Sequence, residues 1–126
     1  MDRRQQLLSL AYRCEHATGP DRELDGAIHS ALPSPLGVDR AKAMAAVGVY
    51  GPEYTASLDA AMTLVPEGTL FNAGHSGDDK PGRFNAVVMP AKGKTQYAEA
   101  SLAALALCAA ALRAQAATVP AEMETA

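Results

Sequence analysis

Tryptophan is absent, phenylalanine occurs twice and tyrosine four times in a chain of 126 residues. So few aromatic faces leave no platform for stacking several bases in a row, which argues against a single-strand nucleic-acid binder. Positive charge is also short. Eleven Lys and Arg against fourteen Asp and Glu give a formal net charge of -3, the wrong balance for a protein that coats DNA. The two cysteines, Cys14 and Cys108, stand in apolar helical contexts and read as buried thiols of a cytosolic protein, not as a disulfide or metal pair. No Cys-x-x-Cys or His-Glu-x-x-His spacing exists, and His16, His29 and His75 are scattered, so no metal or other cofactor is expected. Long apolar runs are missing as well. The longest uncharged stretch, residues 100–112, is too short and too rich in Ala to span a bilayer, and the start of the chain has no apolar run suited to a signal peptide. A cytoplasmic location is the expectation.

What is present is an ordinary globular composition, 48% apolar and 20% charged, in a length that suits one domain. We expect a single compact unit over 1–117 and a frayed tail over 118–126. Asp2 with Gln5 resembles a capping box for a first helix with Leu7, Leu8, Ala11 and Cys14 inward, stopped at Gly19-Pro20. Asp21 opens a second helix lined by Leu24, Ile28 and Ala31 and ended by Pro33 and Pro35. Residues 36–53 read as a short helix followed by an exposed connection. Thr55 or Ser57 caps a helix with Leu58, Ala61, Met62 and Val65 inward, closed by Pro66-Glu67-Gly68. Strands follow at Thr69–Gly74 and Arg83–Met89, joined by turn-forming residues 75–82 as an antiparallel hairpin. Apolar residues on both sets of alternating positions in the second strand suggest cover on two faces. Thr95 is the expected cap of a long helix from Gln96 to about Ala117, apolar on most sides. The fold class that follows is α+β, a small, mostly antiparallel sheet covered by helices, α/β/α sandwich-like.

Lys92-Gly93-Lys94-Thr95 lies where a phosphate loop would, but a Walker A loop needs Gly at the position held by Val88. Physical grounds leave a weaker anion site there. Backbone N–H groups at a helix start capped by Thr95 attract anions, with Lys92 and Lys94 beside them. With Lys80 and Arg83, the stretch from Asp78 to Thr95 holds four cations against two carboxylates. The competing reading is a solvated loop. Tyr54, Ser57 and Asp59 crowd a helix start, where capping explains them, although the same end with Tyr50 could wall a cleft. The candidate ligand-binding set is therefore Tyr50, Tyr54, Ser57, Arg83, Lys92, Lys94 and Thr95. Glu23 and Asp25 read as solvated helix residues. His75, Ser76, Asp78 and Asp79 read as a surface turn, not a triad. No catalytic constellation stands out, and we expect no enzyme.

Tyr54-Thr-Ala-Ser-Leu-Asp-Ala-Ala61 with Leu64-Val-Pro-Glu-Gly68, the segment 21–32, and Ala104-Leu-Ala-Leu-Cys-Ala-Ala-Ala-Leu-Arg113 together resemble the phage ABA sandwich domain family of small phage and prophage proteins. Members often carry Trp-rich strands after the Pro-Glu-Gly turn, whereas this chain has Thr69-Leu-Phe-Asn-Ala73 and Arg83-Phe-Asn-Ala-Val87. The resemblance implies a bacterial host cell and a three-layer fold, and it brings no active-site residues. The expected function is that of a non-catalytic accessory protein for counter-defence. It would block a host protein or sequester a nucleotide-derived, phosphate-bearing signal. The alternative is a virion structural or assembly accessory that acts through protein contacts. A homo-oligomer through the Ala-rich last helix is expected, since Ala lets helix axes approach closely.

Overall fold

The computed structural model describes residues 3–31, 52–66, 68–76, 82–90 and 93–118. In chain order the elements are α1 (Arg3–His16), α2 (Arg22–Ala31), α3 (Leu58–Met62), β1 (Leu70–His75), β2 (Phe84–Met89), β3 (Gln96–Ala100) and α4 (Ala103–Thr118). The expectations for 36–51, for Tyr50 and Lys92 and for the tail from 119 fall outside the described residues. The α+β class holds: helices pack on a three-stranded antiparallel sheet of order β1-β2-β3.

In α1 the buried set is Leu7, Leu10, Ala11 and Cys14. That is the i, i+3, i+4, i+7 stripe of one helix face. Leu8, expected inside, is 41% exposed because it falls off this stripe. Asp21 caps α2 as expected, its Oδ1 accepting from Leu24 N at 3.1 Å, and Leu24, Ile28 and Ala31 are buried. Ser57 caps α3, accepting from Ala60 N at 3.2 Å.

The hairpin β1–β2 forms with Leu70 opposite Met89 and His75 opposite Phe84. The expected helix start at Thr95 is overturned, since Gln96–Ala100 is strand β3, paired antiparallel with β2. Ala98 and Ala100 point inward and are buried while Tyr97 is 53% exposed. That is a period-two pattern hidden by the helix preference of Ala and Glu, and tertiary pairing overrides such a weak local preference. After a bend at Ser101-Leu102, α4 begins, with Ala106 N bonded to Leu102 O at 3.0 Å.

Helix α4 packs on all three strands and, most extensively, on α1. Every residue from Ala104 to Leu112 is buried. Among the described residues the middle layer is thus this helix, not the sheet. The inner sheet face, with Ala73, Ala86, Val88, Ala98 and Ala100, lies on α4. The other face presents Leu70, Val87, Met89 and Tyr97. Because α4 spends its apolar surface within its own chain, Ala104–Leu112 offers no free face for the oligomer expected there.

Candidate functional site: a polar cleft beside Arg83

The end of α1 and the end of β3 are far apart in sequence and meet in space. Antiparallel register sets Phe84 beside Ala100 and Asn85 beside Glu99, and the residues just beyond that pairing, Arg83 and Ser101, line one cleft. Alternation then places Arg83, Asn85 and Glu99 on the sheet face away from α4. Ser101 Oγ donates to the carbonyl of Ala17 at 3.0 Å, which ties the segment after α1 to the end of β3. The result is an open cleft of about 560 Å³ lined by Glu15, His16, Thr18, Arg83, Glu99 and Ser101 with Ala17.

Its charges are unequally committed. One oxygen of Glu15 accepts from the backbone N–H of Glu99 at 3.3 Å and the other pairs with Arg113. Arg113 in turn donates to the Tyr97 carbonyl at 3.1 Å. Burial pushes the Glu15 carboxyl up, but the hydrogen bonds from Arg113 and Glu99, with the charges of Arg113 and His16, hold it below its ordinary value. His16 Nδ1 lies 2.9 Å from the Tyr12 carbonyl. A carbonyl only accepts, so Nδ1 carries the proton and Nε2 is the other ring atom left for contacts. The ring also stacks on Tyr12, centroids 4.1 Å apart. Arg83 differs from these groups. It is half-buried, and among the described residues no hydrogen bond or ion pair engages its guanidinium. A guanidinium in that state offers a planar fork of donors suited to a carboxylate or phosphate.

The other expected site residues do not gather here. Lys94 and Thr95 are exposed and precede β3, at the opposite end of the β2–β3 hairpin from Arg83. Five to six strand residues put roughly 20 Å between them. The helix N-terminus that would have helped Lys94 hold an anion lies instead at Ala103. Tyr54 is 2% exposed, with its hydroxyl 2.7 Å from His29 Nδ1, and the Ser57 hydroxyl is used in its cap. Tyr50 and Lys92 lie outside the described residues. His75 packs edge-on against Phe84, while the neighbouring Ser76 Oγ is buried with no partner among the described residues. Successive strand residues face opposite ways, so the two do not form a dyad.

Sequence reading missed Glu15, His16, Thr18, Glu99 and Ser101, because their meeting depends on β3 being a strand. It also missed Asp25, which is fully buried. Among the described residues, no group of three or more His, Cys, Asp or Glu is placed to hold a metal, and no helix is long and apolar enough to cross a membrane. No protein-family model, no curated protein and no solved structure matches this chain.

Proposed function

We propose that this protein is a non-catalytic binder that takes a small anionic ligand into the cleft beside Arg83. In the phage accessory setting suggested by its resemblance to the ABA sandwich proteins, it acts in the cytoplasm of a bacterial host. There it sequesters a phosphate-bearing, nucleotide-derived signal. The observation that carries the reading is the uncommitted, half-buried guanidinium of Arg83 in a polar cleft of about 560 Å³. That volume is in the range of small-molecule sites. The Thr18 and Ser101 hydroxyls and the His16 ring add contacts for sugar or base groups. Of the cations first considered, Arg83 has this support, and Lys94 stands apart from it.

The test is thermal unfolding with cyclic nucleotides, NAD-derived nucleotides and inorganic phosphate, repeated on Arg83→Ala. A ligand present at a hundred times its Kd stabilises by about 2.7 kcal/mol, and we expect one nucleotide to do so in the wild type and not in the variant. Affinity should also fall with salt, as expected for an ionic contact at an open site. An equal shift in both proteins, or none with any ligand, would overturn the assignment.

A virion accessory acting only through protein contacts is the second reading, favoured by the apolar residues Leu70, Met89 and Tyr97 exposed on the outer sheet face. Co-purification with a capsid or tail protein, without any ligand shift, would favour it.

A further inference from the structure

The two edges of the sheet are finished differently. On β3 the outward backbone groups are met by side chains: Glu99 N–H by Glu15 and the Tyr97 carbonyl by Arg113. Those two residues point their backbones away from β2, so Gln96, Ala98 and Ala100 bond to it. The phase then runs across the sheet. Residues 85, 87 and 89 of β2 bond to residues 74, 72 and 70 of β1, in step with the bond from Ser76 N to Arg83 O at 3.0 Å. Phe71 and Ala73 must therefore aim their N–H and C=O groups outward from β1. Among the described residues nothing meets them. An edge of this kind is a template for another strand.

We infer that β1 pairs antiparallel with β1 of a second copy of this chain, giving a continuous six-stranded sheet about a two-fold axis at Asn72. Three features select the second copy as occupant. The residues of β1, Leu70-Phe-Asn-Ala-Gly-His75, carry no Lys, Arg, Asp or Glu, so self-pairing sets no such charges against each other despite a net charge of -3 per chain.

Pairing Phe71 with the second copy's Ala73 uses the outward groups on both sides and sets Leu70 opposite the second copy's Gly74. Leu70, 72% exposed, is the most exposed large apolar side chain described. Gly74 does not have the positive φ that demands glycine, and among the described residues a Cβ there would meet nothing within 4 Å. A glycine inside a strand weakens it and often marks a close approach by another chain. Here it leaves the gap into which the partner's leucine fits. The two-fold operation repeats the fit on the other side, as an isologous interface requires.

The test is sedimentation equilibrium on the full chain over a wide concentration range. It is run with Leu70→Lys, which places a charge on the edge, and Gly74→Val, which fills the gap. The wild type should weigh twice its 13.1 kDa chain mass, and both variants should shift to the monomer with unchanged circular dichroism. Amide exchange on the wild type gives a readout that needs no variant. The Phe71 and Ala73 amides should be protected in the dimer and exchange quickly on dilution. A wild type of 13.1 kDa at every concentration, dimers in both variants, or fast exchange at Phe71 and Ala73 in a dimeric sample would each overturn the inference. The Arg83 cleft lies on another part of the sheet, so ligand binding and dimerisation fail independently.

Discussion

Asp25 shows how one side chain can join segments that sequence reading keeps apart. It lies in the first turn of α2, where a carboxylate is usually solvated and complements the helix dipole. In the fold it is fully buried. Its Oδ1 accepts from Thr55 N–H at 2.8 Å and its Oδ2 from Arg22 at 3.0 Å. Thr55 Oγ1 completes the joint by accepting from Asp21 N at 2.8 Å. Asp25→Ala leaves the buried Thr55 N–H without a partner, a loss of about 1–3 kcal/mol. Asp25→Asn keeps an acceptor and should recover much of it, and urea unfolding of the two variants checks the order. The cysteines behave as composition suggested, as buried free thiols. Cys108 donates to the Tyr54 carbonyl at 3.2 Å, and the adjacent Cys14 thiol and burial push its titration well above the ordinary range. The thiolate is the reactive form. Because both thiols are buried, both should resist dithionitrobenzoate in the native protein and react once denaturant is added. Rapid native labelling of Cys108 would contradict this packing.

At the scale of elements, helices and the hairpin were readable because their signals are local. Asp21 and Ser57 cap where short polar side chains cap, and β1 and β2 pair antiparallel on either side of a stretch whose composition is turn-forming. Strand β3 was not readable. Gln-Tyr-Ala-Glu-Ala has good helix formers, and its alternation is legible only once Ala98 and Ala100 are known to face α4. The cleft went unread for the same cause, since a helix over 96–100 would never bring Glu99 to Glu15. This joint also gives α1 and β3 a pH dependence. The Glu15 carboxyl has a lowered pKa in the fold, so the folded state binds its proton less readily than the unfolded chain. Its contribution is complete above the ordinary carboxylate range and is lost as pH falls through the lowered value. Glu15→Gln should therefore be less stable than the wild type at neutral pH, and the gap should narrow in acid. Melting temperatures of both proteins across that window test the sign. A gap that widens in acid would mean the Arg113 and Glu99 contacts do not favour the charged form.

For the whole molecule, the decisive fact is that its first and last described helices are each other's most extensive contact. Helix α4 is enclosed by α1, α3 and the sheet, and its alanines, Ala104, Ala106 and Ala109–Ala111, are small because these three neighbours converge there. Sequence reading recognised an all-round apolar helix and expected a second copy to pack against it. Residues 104–112 are buried within their own chain, so the dimer inferred above uses the edge of β1 instead. Burial also makes the alanines sensitive to size. Adding a leucine to a packed core forces neighbours off their rotamers, typically at a cost of about 1–3 kcal/mol. Ala109→Leu or Ala106→Leu should lower stability by that order, while Ala117→Leu, at the exposed end of the same helix, should change it little. Thermal unfolding of the three variants distinguishes an enclosed helix from a surface one, because a solvent-facing α4 would accept all three substitutions alike.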